Sequence, residues 1–342
     1  MKTVAVTGAS GYLGRKVVER LGADADVSRV IGVDVVEPSY STRNLEFYNL
    51  DVRSSELGEV IADCGALVHL ADVNTKDPAE THDVNVTGTR AAMAAAARSG
   101  IHSVVFSSSH TVYGHHADND YPLTEESPVR PHPSSAYPMS KAEAERVVNY
   151  FADAHPDVAV ATLRFAWIGG PGLPANPAIE SPVRLVIRGY APESQAVHED
   201  DAADAVLFAL RNELRGTYNV CADDTVARQE DVYGQRRVSV GAEAAKRLFD
   251  RTSKLGLTVP AGEIGALMYP QVMSNARIRG AGFAFERSSA DAMREAAAAR
   301  KDWVALGRAR FRPRRAALIG GTFGAVLLGS AFRKRRPKPE SD

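Results

Sequence analysis

A tyrosine and a lysine stand four residues apart in the segment Tyr137-Pro138-Met139-Ser140-Lys141. On a helix, side chains at positions i and i+4 share a face, so the phenol and the ammonium group can meet in one pocket. A neighbouring cation lowers the pKa of a phenol because it stabilises the phenolate. A phenolate near neutral pH can remove the proton of a substrate hydroxyl group, and the carbon that bears the hydroxyl can then release a hydride. Since no side chain accepts a hydride, this chemistry requires a cofactor.

The N-terminal segment Thr7-Gly8-Ala9-Ser10-Gly11-Tyr12-Leu13-Gly14 has the spacing of a dinucleotide-binding loop. It follows an apolar run at 4–6 and precedes an amphipathic run at 16–21, which is the strand, turn and helix order that gives the motif its meaning. Gly8 permits a tight turn, and Gly14 allows the helix to pack closely on the strand. Gly11 lets backbone amides approach a pyrophosphate at the positive end of the helix.

The apolar run 30–33 ends at Asp34, about twenty residues after the glycine motif. A carboxylate at this point accepts hydrogen bonds from the adenosine ribose hydroxyls and repels a 2′-phosphate. The sequence therefore predicts NAD rather than NADP as the cofactor.

Strand-like and helix-like patterns alternate over residues 1–170, which predicts an α/β fold of the Rossmann type with a doubly wound parallel sheet. A proline-rich stretch begins at Pro171, and we predict a smaller substrate lobe, mainly within 171–305, with 198–220 returning to the NAD-binding domain. The predicted strands are 4–6, 30–34, 45–49, 67–70, 104–107 and 159–164. The predicted helices are 12–22, 54–63, 79–99, 135–155, 201–213, 242–255 and 288–303.

The charge of the chain is unevenly distributed. The net charge of −1 divides into +8 for residues 308–342 and −9 for the remainder, and an acidic body argues against nucleic-acid binding. Cys64 and Cys221 do not have metal-ligand spacing, so no metal is predicted, and so few cysteines indicate a reducing cytoplasm.

The tail at 306–342 differs in composition from the body. Its segment 316–332 is an uncharged, largely apolar run of 17 residues with arginine-rich flanks, at the lower limit for a membrane-spanning helix. Gly320 and Gly324 form a GxxxG pair that allows close approach of apolar helices. We predict a membrane anchor that attaches a cytoplasmic body to the membrane, with a packed C-terminal helix as the alternative.

Together the glycine motif, Asp34 and the Tyr137/Lys141 pair resemble the extended short-chain dehydrogenase/reductase family, and within it the nucleotide-sugar epimerase-like group. Further segments are similar to family segments, among them Leu50-Asp51-Val52-Arg53, His69-Leu70-Ala71 and Asn85-Val86-Thr87-Gly88-Thr89. The resemblance implies that Asp51 faces the adenine and that Asn85 braces the site. The predicted cofactor contacts are Gly8, Ser10, Gly11, Tyr12, Leu13, Gly14, Asp34, Asp51, Val52, Leu70, Ala71, Asn85, Tyr137 and Lys141.

The resemblance also implies a third catalytic residue, Ser109, which stands four residues before the tyrosine of Tyr113-Gly114 and would hydrogen-bond the reacting oxygen. In the sugar 4,6-dehydratases of this family an Asp-Glu pair follows the catalytic threonine and eliminates water. Here His110 and Thr111 stand at those positions, which argues against a dehydratase. We expect His110 to line the pocket.

Two departures from the family pattern concern the substrate. Trp167 stands where many epimerases have an asparagine, and the segment before His198 lacks the arginine that faces a substrate diphosphate. Arg184 is one candidate to replace that arginine. The predicted substrate contacts are therefore His110, Trp167, Arg184 and His198.

The favoured hypothesis is an NAD-dependent epimerase acting at C4 of a UDP-hexose, with Tyr137 as base and a 4-keto intermediate that takes the hydride back on its other face. The alternative is a membrane-associated oxidoreductase similar to 3β-hydroxysteroid dehydrogenases, which Trp167, the missing arginine and the apolar tail favour. A third hypothesis is an NAD-sensing scaffold, which has no need of Ser109, Tyr137 and Lys141. By analogy with the family, we expect a homodimer formed through the helices 79–99 and 135–155.

Overall fold

The apolar runs in the first half of the chain form a parallel sheet, as their pattern predicts. The computed structural model describes residues 3–227, 232–253, 261–300, 302–306 and 309–311. In chain order, the strands in these ranges are β1 (Thr3–Thr7), β2 (Arg29–Asp34), β3 (Leu45–Asn49), β4 (Ala66–His69), β5 (Ser103–Ser109), β6 (Ala159–Phe165), β7 (Trp167–Gly169), β8 (Val183–Ile187), β9 (Ala196–His198), β10 (Gly216–Val220), β11 (Arg236–Val240), β12 (Val304–Leu306) and β13 (Ala309–Phe311).

The central sheet has seven strands in the order β3-β2-β1-β4-β5-β6-β10, and every neighbouring pair is parallel. The strand order reverses between β1 and β4, so the loops that leave the carboxyl ends of these strands diverge and open a crevice. Doubly wound proteins bind their ligands in such a crevice. The six strands predicted from the sequence are confirmed, with bounds that differ by at most two residues.

Helices cover both faces of the sheet. In chain order they are α1 (Tyr12–Ala23), α2 (Leu57–Val60), α3 (Pro78–His82), α4 (Gly88–Arg98), α5 (Ala136–Ala154), α6 (Pro177–Glu180), α7 (Glu199–Arg211), α8 (Ala242–Ser253), α9 (Ala276–Gly280) and α10 (Ser289–Arg300). Val17 of α1 and Val206 of α7 belong to the apolar layer on one face, and Met93 of α4 and Val148 of α5 to the layer on the other. The two layers bury the central strands on both sides, which fixes the doubly wound architecture.

The helix predicted at 54–63 is wrong in extent, because only α2, at Leu57–Val60, is α-helical. The backbone N–H of Ser54 donates to the carbonyl oxygen of Asp51 at 2.9 Å, and the N–H of Glu56 donates to Ser54 Oγ at 3.2 Å. These bonds extend the turn after β3, and a serine side chain that bonds to nearby backbone competes with helix formation.

The predicted helix at 79–99 is divided. It consists of α3, a π-helical turn at Asp83–Thr87, and α4. The wide turn carries Asn85, whose side chain is buried and bonds to the backbone of Val73 and to Ser140 Oγ. Such turns are frequent at functional sites, since they reposition a side chain without ending the helix.

The segments after β6 form smaller units next to the sheet. β7 pairs with β9, and β8 pairs with β11, both in parallel. α7 then packs on α1, and β10 joins the edge of the central sheet next to β6. Across the part of the chain that the structure describes, no helix has the length and apolarity needed to cross a bilayer. The anchor predicted at 316–332 lies outside the described residues.

Candidate active site

The predicted catalytic side chains meet at the carboxyl edge of the sheet. Ser109 is the last residue of β5, and Tyr137 lies in the first turn of α5, one turn before Lys141. The glycine-rich loop leaves β1 at the same edge, because the strands are parallel. The fold therefore brings together three groups that are widely separated in the sequence.

One carboxylate oxygen contacts both members of the tyrosine–lysine pair. The phenol oxygen of Tyr137 donates to Asp72 Oδ2 at 3.0 Å, and Lys141 Nζ donates to the same oxygen at 3.0 Å. Lys141 Nζ also donates to the carbonyl oxygen of Ser107 at 2.5 Å. Lys141 is only 2% exposed, whereas the side chain of Asp72 is 30% exposed. The two groups do share a pocket, as the spacing predicts, but an acid that the sequence analysis missed completes it.

The pKa of the Tyr137 phenol is held well above its usual value. Burial is the main cause, and the negative charge of Asp72 and its hydrogen bond add to it, while a hydrogen bond with Ser109 acts in the opposite direction. Burial, and after it Asp72, therefore raise the pKa of this phenol, whereas the lowering by Lys141 stays a prediction. Ser109 Oγ is held in place by Thr111, whose N–H and Oγ1 donate to it at 3.3 and 3.0 Å.

Asn85 braces the start of α5. Its amide nitrogen donates to Ser140 Oγ at 2.9 Å, and Ser140 Oγ donates to the carbonyl oxygen of Tyr137 at 2.8 Å. The same side chain bonds to both backbone groups of Val73, at 2.8 and 2.9 Å. The backbone beside Asp72 and the backbone of Tyr137 are thereby tied to one buried amide.

The glycine-rich loop is packed too closely to accept larger residues. A Cβ atom on Gly14 would lie 1.9 Å from the carbonyl oxygen of Gly8. Gly8 has a φ of +71°, and a Cβ there would lie 2.7 Å from the N–H nitrogen of Ala71. Asp34 closes the other side, because its carboxylate accepts the N–H groups of Ser10 and Val36, both at 3.0 Å. A narrow glycine cradle with a carboxylate at the end of β2 fits the adenosine and pyrophosphate of NAD.

Replacing Gly14 with alanine is expected to lower the free energy of unfolding by about 1–3 kcal/mol, because the added methyl group forces the α1 helix away from Gly8. It should also weaken NAD binding, since the loop amides move with the helix. Urea unfolding and cofactor titration measure the two effects. Gly100→Ala is the matched control, because a Cβ on Gly100 has open space around it; equal effects in both variants would contradict the close-packing argument.

A second acid that the sequence analysis missed joins the glycine-rich helix to α7. Glu199 is 2% exposed. It accepts a hydrogen bond from the phenol of Tyr12 and forms an ion pair with Lys16 Nζ at 2.8 Å. The N–H of Gly172 donates to it as well, at 2.9 Å. Tyr12, predicted as a cofactor contact, is therefore also a bridge between the cofactor loop and the segment that follows β7. The only sequence signal was an acidic run at the start of α7.

The remaining predicted cofactor contacts differ in their environment. Asp51 accepts the N–H of Arg53 at 2.9 Å and pairs with its guanidinium group, so its carboxylate is held at the end of β3. Val52 is buried, and it fills the space that Gly88 leaves at the start of α4. The side chains of Leu13 and Leu70 are partly buried against the main apolar cluster.

Two predicted substrate contacts have structural partners. His198 is 1% exposed; its Nδ1 accepts the N–H of Asp200 at 3.1 Å and caps α7, and its Nε2 lies 3.3 Å from Glu295. Trp167 packs in apolar clusters with Met293 and Leu173. The indole thus helps to attach α10, and its contact with a substrate stays a prediction.

The other two predicted contacts, His110 and Arg184, lie in separate parts of the fold. His110 follows Ser109 directly, and its Nδ1 lies 3.0 Å from the carbonyl oxygen of Phe165. A carbonyl only accepts, so Nδ1 carries the proton, and burial lowers the pKa of the imidazole, which leaves Nε2 as an acceptor. Arg184 lies on β8 and favours ionisation of Tyr233, whose pKa burial raises to about 12.

A doubly wound parallel sheet, a glycine cradle after β1 and a Ser/Tyr/Lys group at the same edge define a site for dinucleotide-dependent hydride chemistry. Residues 4–221 match the NAD dependent epimerase/dehydratase family, and the chain belongs to this family. The predicted relationship to the extended short-chain dehydrogenases/reductases and the prediction of NAD as the family's cofactor are confirmed.

Several curated proteins are similar in sequence. An uncharacterised protein of Mycobacterium tuberculosis is 29% identical over 252 residues, which cover 70% of this chain and 67% of that protein. An L-arabinose 1-dehydrogenase (NAD(P)(+)) of Haloferax volcanii is 33% identical over 180 residues, covering 49% of this chain and 68% of that protein. A UDP-glucose 4-epimerase of Neisseria meningitidis is 29% identical over 182 residues, covering 48% of this chain and 52% of that protein.

Solved structures share the fold. MoeE5 in complex with UDP-glucuronic acid and NAD superposes with a TM-score of 0.70 at 22% identity, covering 87% of this chain and 99% of that one. A UDP-glucuronic acid 4-epimerase of Bacillus cereus gives a TM-score of 0.69 at 15% identity, with the same coverage. At these identities the likeness concerns the fold.

Proposed function

We propose that this protein is an NAD-dependent nucleotide-sugar epimerase that acts through transient oxidation of a secondary hydroxyl group. The observation that carries the proposal is the convergence of the Tyr137 phenol and the Lys141 ammonium group on one oxygen, beside Ser109 and at the edge where the glycine loop lies. This is the group of side chains that removes and returns a hydroxyl proton.

Gly8, Gly11, Gly14 and Asp34 would hold NAD, which supplies the hydride acceptor when bound. In its phenolate form, Tyr137 takes the proton of the substrate hydroxyl, and the hydride leaves the carbon that bears this hydroxyl. Ser109 Oγ donates a hydrogen bond to the substrate oxygen, so the resulting carbonyl is stabilised. Return of the hydride to the opposite face, with return of the proton from Tyr137, inverts the carbon without net oxidation.

The choice of an epimerase rests on two supports. The relative from Neisseria meningitidis is a UDP-glucose 4-epimerase, and the structures of similar fold include a UDP-glucuronic acid 4-epimerase. Water elimination needs an acid–base pair after the catalytic hydroxyl, and His110 and Thr111 stand there instead.

The proposal is tested by following absorbance in the reduced-nicotinamide band while UDP-galactose is added to protein supplied with NAD. Interconversion of UDP-galactose and UDP-glucose without accumulation of NADH is the expected result. Tyr137→Phe should slow it by about 10²–10⁴-fold, whereas Tyr150→Phe, at a side chain on α5 that is 78% exposed, should not. Equal turnover in the two variants would show that another group is the base.

Net oxidation of a sugar or another alcohol is the second candidate, and the similarity to an L-arabinose 1-dehydrogenase favours it. The same experiment separates the two, because a dehydrogenase forms one NADH for each alcohol oxidised. L-arabinose and a 3β-hydroxysteroid are the alcohols to add. The steroid-like alternative is supported by Trp167, by the missing arginine before His198 and by the apolar tail, which lies outside the described residues.

Asp34 is proposed to select NAD over NADP. Replacing it with alanine removes the charge that repels a 2′-phosphate, and the ratio of kcat/KM for NAD to that for NADP should fall by at least about tenfold. The carboxylate also accepts two backbone N–H groups of the loop, so affinity for both cofactors should decrease. Asp63→Ala, at an exposed acid before β4, is the control; an unchanged ratio in the Asp34 variant would assign selection to another residue.

A homodimer remains a proposal. The helices α4 and α5 pack side by side, and α5 presents Tyr150 with 78% of its surface exposed. A large aromatic side chain of this kind is typical of an interface. We propose that two copies associate through these helices, and the mass in solution of the unchanged protein and of Tyr150→Asp tests it: the variant should be a monomer.

A further inference from the structure

Asp72 lies in contact with both reacting side chains, and its role is not explained by the proposed chemistry, which needs only a hydroxyl, a phenol and a cation. Its Oδ2 atom is 3.0 Å from the phenol oxygen of Tyr137 and 3.0 Å from Lys141 Nζ. The carboxylate is part of the fold rather than a loose surface group, because the next residue, Val73, is fixed through both backbone groups by the buried side chain of Asn85.

We propose that Asp72 is a positioning residue of the reaction, which holds the phenol and the ammonium group on one oxygen and biases the phenol towards its protonated form. This inference rests on the proposed function, in which Tyr137 exchanges a proton with the substrate. Its consequence is that the site favours donation of a proton to a carbonyl over removal of a proton from an alcohol.

The charges around the phenol support this bias. Lys141 alone would favour the phenolate, but Asp72 carries the opposite charge at the same distance from Lys141 as from the phenol, and so offsets the ammonium group. From β4, His69 lies buried between Thr7 and Thr89, at 2.7 and 3.0 Å, and its pKa is lowered to about 3, mainly by burial and then by Lys141, so it is neutral.

From β5, the group that faces the phenol is the hydroxyl of Ser109, which carries no charge and hydrogen-bonds to Tyr137. From the turn at Asp83–Thr87, Asn85 contributes a neutral amide. With Lys141 offset by Asp72, burial decides the protonation state, and burial disfavours the phenolate. The fold thus places Asp72 where it favours donation of a proton by the Tyr137 phenol over removal of a proton by the phenolate.

The proton balance of the two half-reactions shows what this bias does. When a carbonyl is reduced, the hydride adds to carbon and the Tyr137 O–H proton moves to the carbonyl oxygen, which leaves a phenolate. When an alcohol is oxidised, the phenolate takes the proton and the hydride leaves carbon. Asp72 destabilises the phenolate, so it favours the reduction of a carbonyl. The oxidation of an alcohol then requires a higher pH.

Asp72→Asn is the test variant, because asparagine keeps the size of the side chain and an oxygen that can accept from the phenol. The pH profile of hydride transfer from alcohol to NAD should move to lower pH by about one to three pH units. The sign follows from the removal of a negative charge, which lowers the pKa of Tyr137 and provides phenolate at lower pH. Asp153→Asn, at an exposed acid on α5, is the control for charge removal and should leave the profile unchanged.

A second measurement does not depend on turnover. Tyrosinate is followed by ultraviolet difference absorbance across the pH range in which the proteins stay folded, and the step due to Tyr137 is assigned by its loss in Asp72→Asn/Tyr137→Phe. This step should lie at lower pH in Asp72→Asn than in the unchanged protein, by about one to three pH units. Asp72→Ser provides the same comparison should the asparagine variant not fold.

The outcomes separate the two proposals. An earlier tyrosinate step in the variant supports the role of Asp72, even if no substrate is ever turned over, in which case the proposed function alone is overturned. An unchanged tyrosinate step overturns the role of Asp72, whatever the activity. Activity that survives Tyr137→Phe overturns the proposed function and leaves the titration result to stand by itself.

Discussion

Tyr137→Phe is expected to reduce kcat by about 10²–10⁴-fold, because it removes the group that exchanges a proton with the substrate hydroxyl. The loss should appear in kcat and kcat/KM alike, since the phenol acts on the transition state rather than on substrate binding. Stability should change little: phenylalanine keeps the ring at the start of α5, and the hydroxyl contributes only its bonds with Ser109 and with the partly exposed carboxylate of Asp72. Steady-state kinetics and thermal unfolding measure both effects.

Lys141→Met is the companion variant. It should lower kcat as well, but it also leaves the carboxylate of Asp72 without its ion pair and removes a side chain predicted to contact the cofactor. A rise in KM for NAD is therefore expected for Lys141→Met and not for Tyr137→Phe. The catalytic assignment would be wrong if Tyr137→Phe retained kcat within about threefold, a difference well below the range for general acid–base catalysis.

The largest expected effect on stability belongs to a buried ion pair below the active site. Arg164 of β6 and Glu145 of α5 are 5% and 4% exposed, and their side chains pair at 2.7 and 2.9 Å. Arg164 also donates to the phenol oxygen of Tyr113 at 2.8 Å, and Ser108 Oγ donates to Glu145 at 2.5 Å. The pair thus joins α5 to β5 and β6 at Ser108, the residue before Ser109.

Arg164→Met is expected to lower the free energy of unfolding by about 3–5 kcal/mol, because Glu145 is left as a buried charge without its partner. Urea unfolding measures it. Arg146→Met, at an exposed arginine on α5, should change stability by less than about 0.5 kcal/mol. The double variant Glu145→Leu/Arg164→Met should regain much of the loss, since it removes both charges. A double variant no more stable than Arg164→Met would show that packing, rather than an unpaired charge, is the cause.

Much of the fold could be predicted because its signals are local. The glycine motif, the apolar runs and Asp34 each lie within one strand, turn or helix, and the strands follow from them in parallel order. Two helix predictions were wrong in part: the helix at 54–63 at its ends, and the helix at 79–99 in its interior. In the first, Ser54 bonds within a local turn; in the second, Asn85 turns inward to bond with Val73 and Ser140. Neither bond is visible in helix periodicity.

The sequence by itself determined the chemistry that the site can offer: a phenol and an ammonium group one helical turn apart, and a glycine loop for a dinucleotide. Only the tertiary structure decided which charges surround them. Asp72 and Tyr137 are 65 residues apart, and Tyr12 and Glu199 are 187 apart, so no spacing rule connects them. They meet because the parallel strands end at the same edge of the sheet. The positions that the fold gives to the residues at this edge decide whether a carboxylate lies beside Lys141 and influences the protonation of the Tyr137 phenol.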